Sequence, residues 1–391
     1  MPADAADSFF GVMSVDRFLS EYWQKKPLFI KGALPGFESP ITPDELAGLS
    51  VEPDVESRVV LETGPEQWEL RHGPFEDDTF HALPRERWTL LVQGVDTWVP
   101  EVAALVDRFR FIPNWRIDDV MISYAADKGG VGPHYDTYDV FLLQGLGRRR
   151  WEIGEMCDGA TPRLDHPSLR ILKEFEAQGG WDCEPGDLLY LPPRLAHLGV
   201  ALGNDCMTYS IGFRAPGVAD MIRSFAATVA DRVPDEDRYE DPDLVRQANP
   251  GEITPETVER IRRLIMERLD DSDSLAAWFG KHVTEPKYDH VPEPPEEPVG
   301  VNEVREALND PDAVLLRGEG SRFAYQERRG GGLRLFVDGE GYLCAGAAAD
   351  LAKALCATTE LPATEARPLV TDAHALALLA ELVDRGSLYL G

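Results

Sequence analysis

Between Glu285 and Pro298 the chain carries Pro286, Pro292, Pro294, Pro295 and Pro298 among acidic residues, and no other stretch restricts its folding as much. Proline lacks the amide proton that a helix interior or a central strand needs, and it fixes its own φ. The stretch therefore reads as a linker, and the 391 residues must build separate cores around it. With 43% apolar residues the chain can fill at least one full core and a second. The Pro216-Gly217 pair marks an earlier boundary, where strand-like segments give way to helical spacing at Met221, Ile222, Phe225 and Val229. The expected organisation is 1–216, a helical region 217–284, a linker 285–298 and a final domain 299–391.

Residues 1–216 read mostly as strands: Trp88 to Val92, Asp119 to Tyr124, Val140 to Gln144, Arg150 to Ile153, Asp187 to Leu191 and Met207 to Phe213. They are short, rich in β-branched and aromatic residues, and separated by breakers such as Gly129-Gly130, Gly145 and Pro185-Gly186. A jelly-roll or sandwich follows. Thr254 before Pro255 predicts a capped helix whose Val258, Ile261, Ile265 and Leu269 form an apolar stripe. That stripe has no obvious partner in its own acidic segment, which predicts a homodimer. After the linker, a helix at Val301 to Leu308, a hairpin around Asp338-Gly339 and an apolar helix at Asp372 to Val383 suggest a winged-helix-like α+β module.

Subtracting 39 Lys and Arg from 69 Asp and Glu leaves a charge of -30, which argues against direct nucleic-acid binding. Two readings of the acidity stay open, adaptation to a saline cytoplasm and attraction of a basic substrate. No run of about 18 uncharged apolar residues occurs, and the start lacks a signal-peptide pattern. No membrane association and a cytoplasmic location are expected. The five cysteines, never spaced C-x-x-C, are expected to be reduced and buried.

The chemistry concentrates at Gly132-Pro133-His134-Tyr135-Asp136, a glycine-rich turn before a strand. In extended chain residues i and i+2 project to one side, so His134 and Asp136 can reach one metal. His197, 63 residues after His134 and just past the strand ending at Leu191, supplies a third ligand of the right type. Two histidines and a carboxylate leave three open positions, which suits iron(II) binding a chelating cosubstrate together with oxygen. An H-x-D pair also arises by chance, and a turn histidine is commonly just solvated. Arg149, 15 residues after His134, can grip the far carboxylate of a keto-diacid, although the run Arg148-Arg149-Arg150 also fits a solvated patch. His72, His81 and His166 lack comparable support, and Trp115, Trp151 and Trp181 read as packing residues.

These blocks, with Asp119-Val120-Met121-Ile122-Ser123-Tyr124, Tyr138-Asp139-Val140-Phe141, Leu191-Pro192-Pro193, Tyr209 to Arg214 and the entry segment Tyr22 to Ile30, resemble the bacterial JmjC-domain ribosomal oxygenases. Within them, the chain is similar to enzymes that hydroxylate an arginine of large-subunit ribosomal protein L-sixteen. The resemblance implies a double-stranded β-helix of the cupin type carrying Fe(II) and 2-oxoglutarate, then a helical dimerisation region and a winged-helix-like domain. It places the iron on His134, Asp136 and His197 and the 2-oxoglutarate carboxylate on Arg149. Ala125 stands where the nearest relatives have serine, which leaves Ser123, Thr208 and Ser210 as candidate hydroxyl partners of the cosubstrate. Tyr138, Asp139 and Asp118, with Asp119 beside it, are candidates to receive the substrate side chain. The expected reaction consumes O2 and 2-oxoglutarate and hydroxylates a side-chain carbon of a basic ribosomal-protein loop.

Two rivals remain. A demethylase or small-molecule oxygenase shares the fold, which fixes the cofactor better than the substrate. A winged-helix regulator that senses metal or oxygen would need a basic recognition helix, yet Asp372 to Val383 contains no Lys or Arg.

Overall fold

The computed structural model describes residues 8–76, 78–287 and 292–391. They divide into two compact units, Met1–Ala215 with Lys287–Pro292, and Pro216–Pro286 with Glu293–Gly391.

The first unit is a jelly-roll. After the short strands β1 (Ser8–Phe9) and β2 (Met13–Ser14), it contains β3 (Leu28–Ile30), β4 (Ser57–Gly64), β5 (Gln67–His72), β6 (Trp88–Val92) and β7 (Ile117–Ala125). Then follow β8 (Asp139–Leu146), β9 (Arg149–Met156), β10 (Gly179–Cys183), β11 (Leu188–Leu191), β12 (Leu195–Ala201) and β13 (Cys206–Phe213). An eight-stranded sheet runs in the order β3-β11-β8-β13-β7-β6-β4-β5, and a smaller sheet in the order β10-β9-β12.

Strand β8 shows how the sequence sets this arrangement. Val140 and Leu142 pack with Trp151, Leu189 and Leu191 between the sheets. Phe141 and Leu143 pack on the opposite face with Phe9, Phe18, Phe109 and Phe213. Both faces are covered, so the strand reads as a nearly continuous apolar run instead of alternating. The register then settles which polar side chains share the inner face. Thr208 lies opposite both Ser123 and Gln144, and Ser210 lies opposite both Met121 and Leu142.

Two details depart from the sequence expectation. His197 follows the end of β11 as expected but lies within a further strand, β12, because the turn at Pro192-Pro193 leads into a new strand at Leu195. Strand β9 begins at Arg149, so that arginine belongs to the ladder, opposite Cys183 and Ala201.

In the second unit the helices Val218–Ala230, Pro255–Leu269 and Ser272–Thr284 precede the winged-helix part. Thr254 caps the second, its hydroxyl accepting from the Thr257 amide at 3.3 Å, with Pro255 in the first turn. Helix Ser272–Thr284 packs on the antiparallel sheet of β15 (Phe323–Glu327), β16 (Leu333–Val337) and β17 (Glu340–Cys344), numbered after β14 (Val314–Arg317). Gly280 permits this contact, since a Cβ there would sit 2.2 Å from the Phe336 ring. The core beneath joins Leu335, Val337 and Phe323 to the helices Ala347–Ala357 and Ala373–Asp384. All five cysteines are free and buried. Among the described residues no helix is long and apolar enough to cross a membrane.

Candidate metal centre

His134 and His197 are brought together by backbone as much as by side chain. The His134 amide donates to the His197 carbonyl at 3.0 Å, and the His197 amide donates back to His134 at 2.8 Å. This bridge sets the two imidazole rings 4.3 Å apart between centroids. The turn preceding it needs Gly132 in the left-handed region at φ +78°, where Ile171 and Trp68 leave no room for a side chain. The backbone amide of Arg194 donates to the Asp136 carbonyl at 2.6 Å and holds the carboxylate residue in place. The Asp136 carboxylate reaches to 3.6 Å from His197 Nε2.

The donor atoms of His134, Asp136 and His197 all lie within 4.8 Å of one another, and among the described residues no other group of His, Cys, Asp and Glu does so. Each histidine Nδ1 sits 2.9 Å from a main-chain carbonyl, of Gly132 and Leu195 respectively. Those carbonyls place the ring protons on Nδ1 and leave both Nε2 lone pairs for a metal. Burial, reinforced by His134, lowers the His197 pKa to about 4, so this ring stays neutral at physiological pH. The set fits a divalent cation with an open face better than a structural zinc, which takes four closed ligands. Trp151 lies 5.9 Å from His197 between ring centroids, and the ring covers Gly199, where a Cβ would come within 2.5 Å of it.

Arg149 decides what else the cavity can hold. Its side chain is buried, yet Nε and Nη2 have no hydrogen-bond partner in the protein. Burying a guanidinium with unsatisfied donors is costly, and a ligand carboxylate would satisfy both atoms at once. Its neighbours in the triplet behave differently, since Arg148 is exposed and Arg150 pairs with Asp182 at 3.1 Å on the surface. On the facing sheet, Thr208 donates to Gln144 Oε1 at 3.0 Å and Ser123 approaches the Thr208 carbonyl at 3.5 Å. Gln144 was not singled out in the sequence, although a lone polar residue in the apolar run Val140 to Leu146 was its signal. Ala125, in an apolar cluster with Ala201 and Cys206, offers no hydroxyl.

The substrate-side expectations divide. Tyr138 is exposed, and desolvation together with Asp136, Asp119 and Asp118 raises its pKa. Asp118 accepts from Arg214 at 3.2 Å and from Lys287 at 2.7 Å. Asp119 projects to the inner face with Met121 and accepts from Gln93 Nε2 and the Gly94 amide at 3.1 and 3.2 Å. Asp139 requires a correction. It is fully buried, and Gln24, Tyr190 and Arg116 donate to its carboxylate at 2.8, 2.7 and 3.0 Å. It sits on the outer parity of β8, turned away from the cavity, and ties the entry segment to the sheet instead of receiving a substrate.

A JmjC domain family matches residues 104–221, and a ROXA-like winged-helix family matches residues 267–389. The ribosomal protein uL16 3-hydroxylase of Escherichia coli strain K12 is 38% identical over 374 residues, covering 94% of this chain and 95% of that protein. The chain belongs to the JmjC ribosomal oxygenases. Another member, a probable ribosomal oxygenase of Haemophilus influenzae, is 34% identical over 332 residues, with 83% of this chain and 80% of that protein covered. The solved structure of the E. coli ribosomal oxygenase YcfD in complex with cobalt and 2-oxoglutarate is similar at a TM-score of 0.85 and 37% identity. It covers 97% of this chain and 98% of that one.

Proposed function

We propose that this chain is an Fe(II)- and 2-oxoglutarate-dependent hydroxylase of an arginyl residue in ribosomal protein uL16. The observation that carries the oxygenase part is the pairing of a three-ligand cluster with a buried guanidinium whose donors lack partners. Membership of the ribosomal oxygenases, with the uL16 3-hydroxylase as a relative, supports the substrate part.

In this reading His134, Asp136 and His197 hold Fe(II), and Arg149 anchors the far carboxylate of 2-oxoglutarate. Iron with this cosubstrate and O2 supplies the oxidising power, and succinate, carbon dioxide and one hydroxylated side-chain carbon are formed. The protein's own work is positioning. Ser123 and Thr208 offer hydroxyls on the sheet that faces Arg149, Trp151 keeps water from the His197 side, and the main-chain carbonyls fix both imidazoles. Asp118 and Asp119 form a carboxylate pair that a planar guanidinium can bridge, which leaves the arginine methylenes nearer the metal ligands than its charged head. Neither Asp139 nor any other side chain is needed as a general base.

The apolar stripe of helix Pro255–Leu269 supports a homodimer, because Val258, Ile261 and Ile265 are all exposed. In this reading residues 1–216 are the catalytic domain and 217–284 carry the dimer contact. Residues 285–298 are a linker and 299–391 the winged-helix-like domain. The protein works in the cytoplasm, where ribosomes are built, and does not bind nucleic acid directly.

The reading is tested by adding the enzyme, Fe(II) and 2-oxoglutarate to ribosomes from cells lacking it. One added oxygen on a uL16 arginine supports it. Formaldehyde release without a stable oxygen adduct would favour a demethylase instead.

A further inference from the structure

The linker expected from the proline run contains one Lys or Arg among its carboxylates, Lys287. It is also one of only eight lysines in the chain. Lys287 groups with the jelly-roll and not with the unit that contains Pro286 and the residues from Glu293 on. Lys287 Nζ lies 2.7 Å from Asp118 Oδ2 and 3.8 Å from Asp119 Oδ1. Asp119 shares the inner face of β7 with Met121 and Ser123, and Asp118 precedes it on the strand. An acidic segment would be repelled by these carboxylates, and its one Lys or Arg is the group that meets them, joining Arg214 on Asp118.

We propose that Lys287 is an internal competitor for the substrate cation. It occupies the Asp118 and Asp119 pair in the free enzyme and is displaced when the substrate guanidinium arrives. The inference rests on the reading of that pair as the guanidinium site, and it adds the residue that sets how strongly a cation must bind there. An ammonium tethered in the same chain competes at high effective concentration, so a weakly held basic side chain is refused. A guanidinium prevails because its planar fork can reach both carboxylates at once, whereas the ammonium is a point charge seated mainly on Asp118. Lys287 is half-exposed, so the contact is weak enough to open during turnover.

The test is steady-state hydroxylation of a uL16 peptide containing the arginine, using full-length enzyme with Fe(II) and 2-oxoglutarate. Lys287→Gln is expected to lower the peptide KM roughly three- to tenfold, with the change confined to KM, as removal of a half-exposed ion pair allows. Lys287→Arg, which restores a cation with the better fork, should raise KM above the wild-type value. Lys353→Gln removes the same charge from the winged-helix unit and should leave KM where it was. An unchanged or higher KM in Lys287→Gln overturns the proposal, as does an equal fall in Lys353→Gln. A drop in melting temperature without a lower KM would make Lys287 a structural tie only, which also overturns it. Asp119→Asn separates this from the underlying reading. If it leaves the peptide KM unchanged, the guanidinium site itself is misplaced. If it raises KM while Lys287→Gln does nothing, only the competitor is rejected.

Discussion

Arg149 is the residue whose surroundings say most about function. A structural arginine would have its donors satisfied by the protein, but Nε and Nη2 of Arg149 have no partner inside the jelly-roll. Replacing it with methionine, of similar volume and no charge, should leave the melting temperature unchanged or raise it. The same change should weaken 2-oxoglutarate binding by roughly 2 to 5 kcal/mol, the usual loss when one partner of a buried charge pair is removed. Calorimetric titration of 2-oxoglutarate beside a thermal melt checks both halves. Asp139 makes the opposite case. Three protein donors engage its carboxylate, so Asp139→Asn should cost about 3 kcal/mol of stability or more by leaving Arg116 uncompensated. Denaturant unfolding would reveal that loss, and a change confined to the substrate KM with full stability would reinstate Asp139 at the mouth. Sequence assigned one to the cosubstrate and the other to the substrate but could not tell which of them the protein itself satisfies. Parity along β8 and β9 does so, and parity becomes readable only once the register is known.

At the scale of elements, legibility followed side-chain pattern. Trp88 to Val92 is a strand with the expected ends, and β7, β8 and β13 differ from expectation only by a residue or two at their ends. The hairpin of β4 and β5 escaped notice because its outward residues Glu62, Glu69 and Arg71 make it resemble a loop. Strand β12 escaped for another reason. Leu195 to Ala201 is dominated by small residues of low strand propensity, and Gly199 is there because the Trp151 ring occupies its Cβ position. Gly199→Ala should therefore disturb the floor under His197 and cost roughly 1 to 3 kcal/mol, with metal affinity falling alongside. Thermal melts with and without a divalent cation measure both effects. The start of helix Pro255–Leu269 was legible to the residue, since its cap and stripe are local signals. Its exposed Ile261 and Ile265 lead to a further expectation, that an Ile261→Asp, Ile265→Asp double variant is monomeric by light scattering at a concentration where the wild type is a dimer.

For the whole molecule, a charge of -30 acts on approach more than on chemistry. A basic ribosomal protein is attracted along the field and that attraction is screened by salt, so kcat/KM for a cationic peptide should fall as ionic strength rises while kcat holds. The two compact units divide at Ala215 and Pro216 and not at the proline run, and the third strand of the winged-helix sheet, β15, was not legible. The central claim is that the three-ligand cluster and Arg149 serve hydroxylation of an arginine by molecular oxygen. Its most direct measurement is turnover of a uL16 peptide under heavy-isotope oxygen gas, followed by fragment mass spectrometry. One heavy oxygen should appear on the arginine side chain, formed together with succinate and absent when Asp136→Ala replaces the wild type. Succinate formation with an unmodified arginine, or an added oxygen of ordinary mass drawn from water, would contradict it.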